Sequence, residues 1–171
     1  MDELIDLYDH ELNPLGITVH RNNYVTEPGQ YALYVLAIVQ DLNGKFLITQ
    51  RSMDKKWAGG WWEVTGGGVG SGETIEDAVV REIGEEVGLD ASKHTPKLIY
   101  RYWNDDAING DNYINNVYLA QLDFTVDDVV LQKEEAIAAR LVTWEEIEQL
   151  NDKGVFLHFK RIKEAFDAMN E

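Results

Sequence analysis

The chain of 171 residues contains no cysteine. That absence excludes a disulfide scaffold, a thiolate zinc site, a cysteine-ligated iron–sulfur cluster and a cysteine nucleophile. Proline is scarce: Pro14, Pro28 and Pro96 stand singly, and no linker, repeat or low-complexity tract interrupts the chain. Basic residues are also few, 15 Lys and Arg against 31 Asp and Glu, for a formal charge of -16. Such a surface repels phosphate backbones, so neither nucleic acid nor an anionic membrane is an expected partner. A small phosphate-bearing substrate fits only where divalent cations neutralise the site locally. Long hydrophobic runs are missing too. The longest, Tyr31 to Val39, falls well short of the ~20 residues of a membrane helix. The opening Met1-Asp2-Glu3-Leu4-Ile5-Asp6 is acidic where a signal peptide is basic. A cytoplasmic, single-domain protein is the expectation, and 44% apolar with 27% charged residues suits a folded chain.

Glycine, by contrast, is concentrated: nine of the 14 fall between Gly59 and Gly88. Around that stretch the pattern alternates irregularly between strand and helix. Leu4–Tyr8 and Ile17–His20 read as a hairpin about the turn residues Asn13-Pro14-Leu15-Gly16. Tyr31–Gln40 is β-branched and aromatic with little alternation, as in a strand covered on both faces. Asn43-Gly44 is a hairpin turn into Lys45–Gln50. Trp61–Val64 is a short strand leading to Thr65-Gly66-Gly67-Gly68. Glu73–Val87 reads as a helix stopped by Gly88. Leu98–Trp103, Tyr113–Phe124 and Leu141–Val142 are further strands, with Pro96 in a connecting loop. Thr143 caps a helix over Trp144–Leu150, and Phe156, Phe159, Ile162, Phe166 and Met169 share one face of a last helix. Mixed strands and helices without regular alternation predict an α+β, mixed α/β sandwich rather than a doubly wound sheet.

The helix from Glu73 carries the chemistry. At ~100° per residue, Ile75, Ala78, Val79, Ile83 and Val87 form its core face. Glu82 and Glu86 project at nearly the angle of Ile75, and Glu85 lies at the edge of that arc. These carboxylates stand where the apolar stripe should continue. They are i,i+3 and i,i+4 like-charge neighbours, each pair costing roughly 0.2–0.5 kcal/mol uncompensated. They also lie at the negative end of the helix dipole. A divalent cation relieves all three conflicts, and oxygen ligands without His or Cys suit Mg²⁺, with Mn²⁺ as a substitute. Glu76 and Asp77, near the helix start, are better read as dipole-favoured surface acids. The glycine run Gly66–Gly72 reads by itself either as a phosphate cradle or as a flexible turn.

Gly67, five residues, Glu73, seven residues, then Arg81-Glu82-Ile83-Gly84-Glu85-Glu86-Val87-Gly88-Leu89 resembles the Nudix box in every specified position. The resemblance implies a Nudix-type α/β/α sandwich with a mixed central sheet, and Mg²⁺-dependent hydrolysis of a nucleoside diphosphate linked to another moiety. Residues 67–89 would be the box and residues 1–28 an N-terminal hairpin extension of one domain over 1–171. By the same resemblance Glu82, Glu85 and Glu86 are metal ligands, with the backbone carbonyl of Gly67 as a further one. Arg81 and Glu73 are an orienting pair, and Gly88 is the left-handed helix stop. Glu86 or Glu85 is implied as proton acceptor within the box, or outside it Glu135 in preference to Glu134.

Arg51 and Lys55 or Lys56 lie in a stretch that often faces the phosphates in this family. Among the aromatics Trp57, Trp61, Trp62, Tyr102, Trp103 and Tyr113, one or two are expected to touch a base, with Trp62 and Trp103 the candidates and the rest packing. His10, His20, His94 and His158 show no ligand spacing and receive no role. The N-terminal Glu3–Asp9, Asn13–Gly16 and Arg21 look like the opening of Nudix proteins related to isopentenyl diphosphate isomerase. That isomerase uses a catalytic cysteine and histidine-rich metal binding, whereas this chain has no cysteine and Gly68 stands where a histidine is common. Isomerisation and non-catalytic nucleotide sensing are therefore the alternatives to a Mg²⁺-dependent pyrophosphohydrolase. The N-terminal hairpin could also pair across a two-fold axis as a homodimer.

Overall fold

The computed structural model describes residues 3–171, so the reading of Met1 and Asp2 lies outside the described residues. Its organising element is the strand β3, Tyr31–Gln40, in which every residue but Tyr34 is buried. Strand residues alternate between faces, and here both faces are apolar. Leu33, Val35, Ala37 and Val39 enter one core cluster, while Leu36 and Ile38 enter another.

Further strands complete a mixed sheet: β1 (Leu4–Tyr8), β2 (Pro14–His20), β4 (Phe46–Arg51), β5 (Trp62–Glu63), β6 (Thr65–Gly68), β7 (Lys97–Asn104), β8 (Tyr113–Gln121) and β9 (Ala136–Val142). β8 runs parallel to β3 from Ala32↔Tyr113 to Gln40↔Gln121 and carries β7 antiparallel on its outer edge. β1, β6 and β4 follow one another along the other edge of β3, all antiparallel. β2 pairs with β1, and β4 takes β5 and β9.

Helix α1 (Ile75–Val87) covers one face, burying Ala78, Val79, Ile83 and Val87 against the odd-numbered β3 residues. Helices α2 (Trp144–Asp152) and α3 (Phe159–Met169) cover the other with Ile147, Leu150, Ile162 and Ala165. They are locked together by Trp144 stacked on Phe166 at 4.1 Å. The result is the expected α+β sandwich of helix, mixed sheet and helix.

Several local readings are corrected. The β1–β2 turn is Asp9–Asn13, not Asn13–Gly16. The Asp9 carboxylate accepts from the backbone N–H of Glu11 at 2.8 Å and of Asn13 at 2.9 Å, and this local satisfaction outweighs the Pro-Gly signal. Pro14 instead opens the exposed edge strand β2, a position where its missing N–H costs nothing. Gly66–Gly68 form strand rather than loop. β8 ends at Gln121, three residues before Phe124, and β9 begins at Ala136, five residues before Leu141. α1 begins after Thr74, and α3 only at Phe159.

Candidate active site

Thr74 starts α1 by accepting from the Asp77 N–H at 3.1 Å, leaving Glu73 just outside the helix. Gly88 ends it with φ 70°, its N–H donating to Gly84 O at 3.1 Å. No basic residue lies in the last turn, so within the helix its acids are offset only by Arg81, one turn earlier.

Glu82 is only 6% exposed, and the reason it fits is Gly67. A Cβ at Gly67 would lie 2.1 Å from Glu82 Oε1. The glycine strand thus permits close approach of a carboxylate to the β6 backbone; chain flexibility is not its purpose. Gly66 is equally constrained, since a Cβ there would sit 2.8 Å from the Val35 carbonyl oxygen.

Arg81 ties loop, strand and helix together. Its Nε and Nη2 donate to the two Glu73 oxygens at 2.8 and 2.9 Å, and Nη2 also donates to Gly68 O at 2.9 Å. Nη1 donates to Glu82 Oε1 at 2.8 Å and to Glu85 Oε2 at 3.2 Å. A planar guanidinium is suited to such a forked arrangement. Its hydrogen bonds to Glu73 in turn hold the Glu73 carboxyl below its ordinary range, against an opposing effect of burial. The Gly70 N–H completes Glu73's shell at 3.0 Å.

The other carboxyls are pushed the opposite way. Burial raises Glu82 despite Arg81, and raises Glu63 despite Arg51. Glu86 is raised by burial first and then by the charges of Glu82 and Glu63. Three desolvated acids therefore face one another with too little positive charge between them, the situation that a cation relieves.

Two cavities open onto this group and share Arg21, Gly66, Glu86 and Glu135. One also exposes Glu82, Glu85 and Lys55, the other Arg51 and Glu63. Lys55 is ion-paired with Glu135. Arg51 donates to Glu63 at 3.1 Å and to Trp57 O at 3.1 Å, while its Nε is buried without a partner.

The structure thus brings Gly67, Arg81, Glu82, Glu85, Glu86, Glu135 and Arg51 to one place. Among the described residues, no three His, Cys, Asp or Glu side chains converge in metal-holding geometry. Glu82 and Glu85 turn oxygens onto Arg81 instead. The donor set nevertheless fits a hard cation: carboxylates on one cavity wall, without His or Cys.

Trp62 and Trp103 lie elsewhere, one residue out of phase with the site. On β5 it is Glu63 that lines the cavity, while Trp62 packs towards α2 and α3 under the Arg140 guanidinium at 5.5 Å. On β7 it is Tyr102 that lines a cavity adjoining the site. Trp103 takes the opposite face, stacks on His10 at 5.1 Å and donates its indole N–H to His10 O at 2.9 Å. A one-residue slip in a strand exchanges faces. Glu134 is exposed and lines neither cavity.

Three contributors escaped the sequence reading. Arg21 arrives from the end of β2 and Glu63 from β5, while His158, the residue before α3 with φ 59°, lines a cavity that adjoins the site. The pairing of β2 with β1 and of β1 with β3 brings in Arg21, the pairing of β5 with β4 brings in Glu63, and the isolated bridge from Trp62 to Phe156 brings in the segment of His158. No local sequence signal marks them.

A family model of the NUDIX domain matches residues 30–164. An uncharacterized Nudix hydrolase of Listeria monocytogenes is 30% identical over 146 residues, 84% of this chain and 82% of that protein. An isopentenyl-diphosphate Delta-isomerase of Paenarthrobacter aurescens is 29% identical over 125 residues, 70% of this chain and 66% of its own length. The crystal structure of the MutT protein from Methanosarcina mazei superposes with a TM-score of 0.66 at 24% identity, covering 86% of this chain and 99% of that one. The match runs from β3 through the carboxylate helix into α3 and leaves out Arg21 alone among the site residues named above, and the chain belongs to the Nudix family of pyrophosphohydrolases.

Proposed function

We propose that the chain hydrolyses the diphosphate bond of a nucleoside diphosphate linked to another moiety, by attack of water at phosphorus, with Mg²⁺ as its cofactor and Mn²⁺ as a substitute. The observation that carries this reading is the carboxylate group of buried Glu82 with half-buried Glu86 and Glu63, beside a glycine strand and facing Arg21, Arg51 and Lys55 across shared cavities. Glu82, Glu85 and Glu86 would hold the cation, with the Gly67 carbonyl as a further ligand. Bound there, Mg²⁺ supplies charge neutralisation of the diphosphate and a lowered pKa for an attacking water.

The protein's own groups do the rest. Arg81 fixes Glu82 and Glu85 through hydrogen bonds that also anchor Glu73 and the Gly68 carbonyl. Arg21, Arg51 and Lys55 present positive charge to the phosphates, and the partnerless Arg51 Nε–H is a donor in waiting. Glu86 or Glu135, both on the shared wall, accepts the proton of the attacking water.

Isomerisation of an isopentenyl diphosphate is the second reading, favoured by the isomerase relative. The absence of any cysteine removes the thiol that such chemistry uses. The exposed strand β2 leaves a free sheet edge that suits pairing with a second copy across a two-fold axis. A mass of one chain by light scattering would refute the dimer. No described helix is long and apolar enough to cross a membrane.

The reaction is tested by phosphate release from a panel of nucleoside diphosphate derivatives in Mg²⁺, Mn²⁺ or chelator, with a phosphatase added where the product is a monoester. Turnover in Mg²⁺ that disappears in Glu86→Gln is the expected result. Nucleotide binding without any turnover would favour the sensing alternative.

A further inference from the structure

A third cavity, of about 250 Å³, adjoins the carboxylate group, sharing Glu63 and Gly66 with it. It lies on the α2–α3 face of the sheet. Its walls are Tyr34, Tyr102 and Tyr113 with His158 at the rim, and Asn115 of β8 lines it between them. The rings meet edge to face, Tyr34 with Tyr113 at 5.5 Å and Tyr102 with Tyr113 at 6.4 Å. The Arg161 guanidinium lies over the Tyr102 ring, 4.3 Å from its centre. His158 is held below its ordinary pKa by burial and then by Arg51, so a neutral imidazole faces the space at pH 7.

Among the buried side-chain polar atoms that line this cavity, one is without a partner. The Tyr34 and Tyr24 hydroxyls share a hydrogen bond of 3.0 Å. Asn115, 8% exposed, donates from Nδ2 to the Tyr102 hydroxyl at 3.0 Å. Its Oδ1 is buried without any partner. A buried acceptor left unpaired is costly and rare, and beside a cavity it is what a ligand donor satisfies.

We infer that Asn115 is a specificity-determining residue of this site, its Oδ1 accepting a hydrogen bond from the amino group of an aromatic heterocycle attached to the diphosphate. The inference rests on the nucleoside diphosphate reading above and adds to it the residue that reads the base. Edge-to-face tyrosines provide ring-shaped contacts, and Glu63 and Gly66 join this cavity to the place where phosphate would lie. An isoprenoid tail meets the same walls badly, because its hydrocarbon would cover Oδ1 and leave the acceptor unsatisfied.

The test is calorimetric binding to the full chain of two matched pairs, ADP against purine riboside diphosphate and GDP against inosine diphosphate, with dimethylallyl diphosphate as a fifth probe. Within each pair only the exocyclic amino group differs in the first case, and only the 2-amino group in the second. In wild type the amino-bearing member of at least one pair should bind about tenfold more tightly, and dimethylallyl diphosphate more weakly than that member. In Asn115→Leu the pair difference should vanish. Equal binding within both pairs in wild type overturns the inference, and needs no variant to fold. So does a difference that survives in Asn115→Leu, or tighter binding of dimethylallyl diphosphate. Because binding is read apart from turnover, the two readings fail separately: discrimination without hydrolysis sinks the reaction, and hydrolysis without discrimination sinks the role of Asn115.

Discussion

At the scale of single residues, the site depends on a glycine that makes room and an arginine that fills several roles. Gly67→Ala would place a methyl group 2.1 Å from Glu82 Oε1, so strand and helix must separate or the carboxylate must swing away. Overpacking of this kind costs about 1–3 kcal/mol, and a urea melt of the variant should show a loss in that range together with loss of turnover. Arg81→Lys keeps the charge but not the fork that reaches Glu73, Gly68, Glu82 and Glu85 together. Its kcat/KM should fall roughly 10–100-fold, as removal of groups that orient metal ligands does; full activity would contradict the role. Glu73 gives a pH prediction with a definite sign. Its carboxyl is held below its unfolded value of 4.5 by Arg81, so its contribution is fully present above that value and is lost as pH falls through the lower folded one. Acid titration of Glu73→Gln should therefore show a shallower loss of stability below pH 4.5 than wild type. An identical acid limb would show that the pairing contributes nothing.

Among the elements, the helix was the most legible part of the chain. Its apolar period, its misplaced acids and its Gly88 stop are all local signals, and α1 differs from the expectation only in starting after Thr74 rather than at Glu73. That cap is itself testable. Thr74→Ala removes the acceptor for the Asp77 N–H and should cost about 1 kcal/mol in a thermal or urea melt. β3 was equally plain, because a strand buried on both faces reads as a continuous apolar run. β6 was hidden for the opposite reason. Glycine is depleted in strands, and what requires it at Gly67 is the Glu82 carboxylate of another element, fifteen positions along the chain. The parity of short strands was likewise out of reach. Nothing in Trp62-Glu63 or Tyr102-Trp103 says which neighbour faces the cavity, and bulk suggested the tryptophans where the structure presents Glu63 and Tyr102.

For the whole molecule, the family motif carried the sandwich and the carboxylate set, while the cavities beside the carboxylates are lined by residues scattered between Arg21 and His158. The N-terminal hairpin supplies Arg21, itself paired with Glu3 at 2.8 Å, and the chain segment entering α3 supplies His158. Long-range pairing assembles these groups, so no window of sequence contains them. The acidity of the chain becomes intelligible at this scale as well. A molecule of net charge -16 repels a diphosphate in general, and on the proposed function it would admit one only where Arg21, Arg51 and Lys55 meet carboxylates that a divalent cation can neutralise. The most direct test of that account is electron paramagnetic resonance titration of Mn²⁺ into wild type and into Glu86→Gln, with circular dichroism to verify the fold. Wild type should bind Mn²⁺ competitively with Mg²⁺, and the variant should bind at least about tenfold more weakly. Equal Mn²⁺ affinity in two equally folded proteins would contradict a metal site at Glu82, Glu85 and Glu86.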